Sequence, residues 1–219
     1  MARLAARRLR LWARDYLTHR SLWPAIEAAV GLALDSRPLN EDATVVDIGC
    51  GQRPYADLFG DAFCVALDRS TQGARPSVVA DVLHLPLASA CADLVFCTQV
   101  IEHVQRPQRL LDECCRIMKP GGMLVLTGPF YWPLHEEPHD YFRFTRYGLE
   151  QLARQAGLQV VTLQNDCGSL TQLAVSLVEL LPRWALPLLP VINVITPWLQ
   201  RLSSDRRSTL NLVMVARRP

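Results

Sequence analysis

The chain has 219 residues, half of them hydrophobic, and 23 Lys and Arg against 21 Asp and Glu leave a net charge of +2. That length can bury one sizeable core, and that balance gives no electrostatic case for nucleic acid as a partner. Seven cysteines with no Cys-x-x-Cys pair exclude a disulfide framework or a zinc ribbon and favour a reducing cytoplasm.

In chain order, residues 1–35 come first, with Arg3, Arg7, Arg8, Arg10 and Arg14 interleaved with Leu4, Leu9, Leu11 and Trp12. This reads as a basic amphipathic surface segment. No uninterrupted apolar stretch follows the arginines, so it is not read as a secretory signal. A helix is expected over 22–34. Val45 and Val46 then begin a strand that breaks at Gly49-Cys50-Gly51, with Asp47 at its lip. Glycine removes the Cβ that keeps backbone from a ligand and permits the φ of a tight turn. A turn at the carboxyl edge of a parallel sheet is where open α/β folds bind ligands. A helix is expected to open at 54–59. An apolar run over 63–67 ends in Asp68, a carboxylate suited to both hydroxyls of a ribose. The next run, 77–80, ends in Asp81, and that over 93–97 leads into Thr98-Gln99. Consecutive strands ending in polar residues on one sheet edge describe a ligand crevice.

Leu110, Leu111, Cys114, Ile117 and Met118 recur at helical spacing, predicting a helix over 106–118 that stops at Pro120-Gly121-Gly122. A strand follows over 123–127. Thr145 caps a helix to Ala156, Gly157 ends it, and strands are expected over 158–163 and 210–216.

The landmarks Asp47-Ile48-Gly49-Cys50-Gly51, Asp68, Ala80-Asp81-Val82, Gln99-Val100-Ile101-Glu102-His103 and Met118-Lys119-Pro120-Gly121-Gly122 resemble those of class I S-adenosylmethionine-dependent methyltransferases, of the type 11-like small-molecule group. Rossmann dehydrogenases carry a third glycine where Arg53-Pro54 stands here, which argues against a pyrophosphate on the helix start. The resemblance implies a Rossmann-like α/β fold: a seven-stranded sheet of order 3-2-1-4-5-7-6, its last strand antiparallel, flanked by helices. It implies S-adenosylmethionine as cofactor, with Gly49, Cys50 and Gly51 at its methionine end and Asp47 near its ammonium. Asp68 would hold the ribose, Asp81 and Val82 the adenine, and Gln99 would sit beside the sulfonium. The Cys-Gly-x-x-Pro-Tyr form of the first motif, together with the run from His135 to Thr145, is similar to a bacterial subgroup that often accompanies cell-surface polysaccharide synthesis.

In quinone-ring O-methyltransferases a Glu-x-x-Glu-His segment at this place binds a divalent metal. Here Gln99 replaces the first acid, and an amide is a poor ligand for a hard cation. Glu102 and His103 are therefore read as caps and supports of the following helix, with a metal there left as the open alternative and none assigned.

The polar, aromatic stretch 129–144 follows the fifth strand and is where acceptor recognition is expected. His139 and then His135 are the candidate general bases, worth roughly 10² to 10⁴ in rate. Tyr141 and Arg143 are the candidate acceptor ligands, Arg143 for an anionic group held bidentately. The rival reading is a salt-bridge network of His139, Asp140 and Arg143 that only shapes the loop.

The methyltransferase domain is expected over 36–219, with an apolar helical insertion at 166–206. Pro182, Pro187, Pro190 and Pro197 argue against a spanning helix there. The insertion is read as a cover for the acceptor pocket, a homodimer contact or a peripheral membrane contact at the inner face. The expected activity is methyl transfer to oxygen of a small-molecule, lipid or glycan-precursor acceptor. The rivals are a quinone C- or O-methyltransferase and a non-catalytic S-adenosylmethionine-binding or assembly subunit.

Overall fold

The computed structural model describes residues 10–205 and 207–219. Arg3, Leu4, Arg7, Arg8 and Leu9 of the basic segment lie outside the described residues.

Seven strands form one sheet: β1 (Thr44–Ile48), β2 (Phe63–Asp68), β3 (Val78–Val79), β4 (Ala92–Thr98), β5 (Met118–Pro129), β6 (Gln159–Asn165) and β7 (Asn211–Arg217). Their order is β3-β2-β1-β4-β5-β7-β6, as expected. Strands β1 to β5 pair in parallel, and β7 runs antiparallel between β5 and β6. The carboxyl ends of β1, β2, β3 and β4 thus share one edge, which the helices leave open.

Strand alternation divides the core in two. Val45, Leu94, Phe96, Val125 and Val215 face one side, where α1 (Tyr16–Ser36) lays Leu22, Ile26, Val30 and Ala33 on them. Val46, Val95, Cys97, Leu124, Leu126 and Met214 face the other, covered by α2 (Pro107–Ile117) and α3 (Arg146–Gln155) through Leu110, Leu111, Cys114, Leu149 and Ala153. Thr145 caps α3 as expected, its Oγ1 accepting from Gly148 N at 3.1 Å.

Three boundaries differ from expectation, each for a physical reason. Helix α1 begins six residues earlier than 22, at Tyr16, runs through Pro24 and packs on the sheet. The stretch 16–35 is therefore built into the domain rather than separate from it. Only a single 3₁₀ turn, Ala56–Phe59, follows β1, because Gly51, Pro54 and Gly60 (φ 58°) interrupt the short span before β2. Strand β5 starts directly after α2, so Pro120-Gly121-Gly122 lies within it, at a register shift opposite Ala92 and Leu94.

The insertion is a helical hairpin, α4 (Ser169–Leu180), a 3₁₀ segment (Arg183–Leu188) and α5 (Leu189–Leu202). Its inner face buries Val175, Val178 and Leu189, yet its outer face is apolar too. Helix α5 buries Asn193 and Thr196, while Val191, Val194, Ile195 and Trp198 stand in the open. Asn193 Nδ2 donates to the carbonyls of Leu11 and Ala13, and Arg14 donates to those of Val178 and Leu181 at the end of α4. Leu173, Leu177, Leu180 and Trp184, the last 81 % exposed, extend the same outer face.

Candidate active site

A cleft of about 400 Å³ opens at the carboxyl edge, lined by Gly49, Gly51, Asp68, Asp81, Val82, Gln99, His139 and Tyr141 among others. Eight of the sequence-derived site residues therefore meet in one cavity. Each is held by local chemistry. Gly49 has φ +67°, and a Cβ there would stand 2.2 Å from Val100 Cγ2, so both backbone and space demand glycine. Gly51 N donates to Asp68 Oδ2 at 3.1 Å, tying the glycine turn to the end of β2. Asp81 Oδ1 accepts from Leu83 N at 2.9 Å, an Asx turn that presents Val82 to the cleft. Gln99 adopts φ 55°, and Thr127 Oγ1 accepts from both its backbone N (3.1 Å) and its Nε2 (3.0 Å).

Asp47 lies beneath this surface, almost fully buried. Burial, with a smaller contribution from the Asp68 charge, pushes its carboxyl up to about 7 against the pull of Arg53. Cys50 is buried too, its thiol pushed up to about 11 by burial, and it packs under the turn instead of lining the cleft.

The 129–144 stretch forms the opposite wall. His139 Nδ1 lies 3.1 Å from the Tyr141 hydroxyl, which also accepts from Gln105 Nε2 at 3.1 Å. His135 and Arg143 do not line the cleft. Arg143 uses its guanidinium within the loop: it grips Asp140 bidentately at 2.6 and 2.7 Å and donates to the carbonyls of Trp132, Pro133 and Phe142. This corrects its assignment to an anionic acceptor, because a carboxylate of the chain already fills the fork. The Arg143 hydrogen bonds hold the Asp140 carboxyl far below the usual carboxylate range. A loop network does exist, but it joins His135, Asp140 and Arg143, leaving His139 free to face the cleft.

Glu102 and His103 do not cap the following helix, whose N-cap Arg106 makes no side-chain cap bond. Glu102 is fully buried, and neither carboxylate oxygen has a hydrogen-bond partner among the described residues. Burial pushes its carboxyl up to about 7. His103 lines the cleft, its Nδ1 2.7 Å from the carbonyl of His139.

Arg69, Gln105 and Glu136 also line the cleft. Only chain neighbours of marked residues could have pointed to the first two, and Glu136 lay inside a motif quoted for its histidines. Thr127, which pins Gln99, carries no sequence signal at all.

Residues 46–126 match the model of a family described as "Methyltransferase domain". That stretch is a class I methyltransferase domain of the type 11 kind. The chain is 34 % identical over 101 residues to the malonyl-[acyl-carrier protein] O-methyltransferase of Methylococcus capsulatus, covering 39 % of this chain and 37 % of that one. It is 30 % identical over 154 residues to the ubiquinone biosynthesis O-methyltransferase of Burkholderia pseudomallei, covering 55 % and 66 %. The chain thus spans less than two thirds of the length of these relatives. Its fold matches geranyl diphosphate C-methyltransferase from Streptomyces coelicolor, solved with Mg²⁺, geranyl diphosphate and S-adenosyl-L-homocysteine. The TM-score is 0.61 at 16 % identity, over 94 % of this chain and 82 % of that one.

Proposed function

We propose that this methyltransferase moves a methyl group from S-adenosylmethionine to an oxygen of an acceptor with an apolar part, a lipid or a lipid-linked glycan precursor. The observation that carries the reading is the meeting of Gly49, Gly51, Asp68, Asp81, Val82 and Gln99 in one cleft at the carboxyl edge.

The cavity suits such a cofactor. Its volume of about 400 Å³ falls within the roughly 300 to 1,000 Å³ of small-ligand sites. A Cβ at Gly51 would meet nothing within 4 Å, so glycine leaves that space to a ligand. When bound, the cofactor supplies a methyl carbon already activated by sulfonium. Asp68 would accept from the ribose hydroxyls, Asp81 and Val82 would hold the adenine, and Asp47, beneath the glycine turn, would favour the ammonium. Gln99, braced by Thr127, is held rigid at the end of β4. The chain's remaining tasks are to orient the acceptor and exclude water. His139 takes the acceptor hydroxyl proton at Nε2, since its Nδ1 is turned to the Tyr141 hydroxyl.

The apolar outer face of the hairpin supports an apolar acceptor met at a membrane surface. A helix that buries Asn193 and Thr196 and exposes Val194, Ile195 and Trp198 is built for an apolar outer environment. Arg183 and Arg201 flank the exposed tryptophans and suit anionic headgroups. Trp132, in the acceptor loop, packs against the small buried cluster of Leu17, Val175 and Leu210, against which Ile192 of the hairpin also packs. No helix among the described residues is long and apolar enough to cross a membrane. The free cysteines accord with the cytoplasmic side. The ubiquinone-pathway relative makes a prenylated quinone the first acceptor to try.

Calorimetric titration with S-adenosylmethionine and its demethylated product tests the cofactor site. Micromolar binding lost in Asp68→Ala supports it, and no binding by folded protein refutes it. Co-sedimentation with anionic vesicles, lost in Val194→Ser/Trp198→Ser, tests the surface. A concentration-dependent dimer removed by the same substitutions would assign that face to a second copy instead.

A further inference from the structure

Three side chains from two separate segments converge behind the acceptor wall of the cleft, which only His103 of the three lines. A ligand atom from each of Glu102, His103 and His135 lies within 4.8 Å of the other two. We propose that Glu102, His103 and His135 form a binding site for one divalent transition-type cation beside the cleft, which the site meets through His103.

The first support is the state of Glu102. A fully buried carboxylate without a hydrogen bond is costly, and both its oxygens lack partners among the described residues. The neighbouring histidine does not relieve it, because His103 Nε2 stands 3.9 Å from Glu102 Oε1, beyond hydrogen-bond length. A cation seated between them satisfies both.

The second support is the orientation of the two imidazoles. His103 Nδ1 faces the carbonyl of His139 at 2.7 Å. A carbonyl only accepts, so Nδ1 carries the proton and Nε2 presents a lone pair. His135 Nδ1 faces two acceptors, Asp140 Oδ2 at 3.2 Å and the Pro133 carbonyl at 3.3 Å, so its Nε2 is also left with a lone pair. Metal-bound histidines are held in this way by a carbonyl or carboxylate on the far nitrogen. Asp140 is itself fixed by Arg143, which gives the arginine a purpose: it positions the carboxylate that positions His135. The two rings stand edge to face with centroids 4.7 Å apart.

Two imidazoles and one carboxylate suit zinc, manganese, iron(II) or cobalt(II) better than calcium or magnesium, which prefer all-oxygen shells. Ligand distances of about 2.0 to 2.2 Å require a modest inward rotation of these side chains. Three protein ligands leave positions free, as in catalytic rather than structural sites. Glu136 Oε2, 3.9 Å from His103 Nε2, is placed to become a fourth ligand or to be displaced by an acceptor oxygen. The set is assembled by folding: His135 is supplied by a loop more than thirty residues after His103.

The test uses the full chain, stripped with chelator and desalted, and measures metal alone. Manganese(II) is titrated by electron paramagnetic resonance, which responds little to thiols, and zinc(II) by calorimetry. The expected result is one saturable equivalent at micromolar affinity or better. Glu102→Gln and His135→Asn should each weaken it by at least tenfold, and Asp140→Asn by about 10- to 100-fold. His84→Asn, at an exposed histidine outside the cluster, should leave it unchanged. No saturable manganese or zinc binding, or binding indifferent to the Glu102, His135 and Asp140 substitutions, would overturn the site. His135 lies on a surface loop, so His135→Asn carries the test even where Glu102→Gln disturbs folding. Because no methyl donor is added, the result is independent of the proposed activity.

Discussion

Asp47→Asn should make this protein more stable and at the same time remove its cofactor binding. Burial raises the Asp47 carboxyl to about 7, whereas in the unfolded chain it titrates near 3.8. The folded state therefore holds the proton more tightly. The contribution of Asp47 to stability is greatest below about pH 4, falls as pH rises from about 4 to 7, and is level above. At 1.36 kcal/mol per pH unit the penalty reaches a ceiling of about 4 kcal/mol at pH 8, of which relaxation around the site leaves an observable gain of about 2 kcal/mol in the variant. Asparagine keeps the shape and omits the charge. Urea unfolding at pH 5 and pH 8 should separate the two proteins about 40 % as far at the lower pH as at the higher one, with the variant ahead at both. S-adenosylmethionine at 100 times its dissociation constant should then stabilise the natural protein by about 2.7 kcal/mol and the variant far less. A variant less stable at pH 8, or one that the cofactor stabilises equally, would refute the reasoning that Asp47 is a strained group held for an ammonium.

Gly49→Ala should abolish cofactor binding and destabilise the fold by about 1 to 3 kcal/mol, since it meets both φ +67° and Val100; adding Val100→Ala should recover only the steric part, as read by urea unfolding. Arg143→Lys should lower acceptor turnover more than cofactor affinity, because an ammonium cannot reproduce the fork that holds Asp140 and the loop carbonyls; calorimetry beside a turnover assay separates the two. His139→Asn should reduce turnover by roughly 10² to 10⁴ with cofactor binding intact. Thr145→Ala should cost about 1 kcal/mol by loss of the cap on α3, with no effect on ligand affinity.

How much of this was legible in the chain itself follows the range of the interactions. The apolar runs of β1, β4, β5 and β7, the Thr145 cap and the glycine turn are local patterns, whereas the strand order and the roles at the cleft's cofactor end came from the family resemblance those landmarks carry. The periodicity that predicts α2 and α3 is a local pattern too, because a helix must lay its apolar stripe on the sheet. Boundaries were less legible where a breaker can be absorbed, as Pro24 is within α1 and Pro120 within β5.

The acceptor end depended on contacts between distant residues. Arg143 reads as an anion binder from its type alone, but only the folded loop brings Asp140 into its fork. Glu102 and His103 read as helix supports until His135 is brought beside them and both Glu102 oxygens are seen to be left without partners. The apolar outer face of α5 is likewise invisible in composition, since which side of an apolar helix is buried depends on the carbonyls of Leu11 and Ala13 that capture Asn193. Residues that act through their own backbone and near neighbours were determined by the sequence. Those that act through partners dozens of positions away, where charge, tautomer and burial are set by the company they keep, were decided only by the tertiary structure.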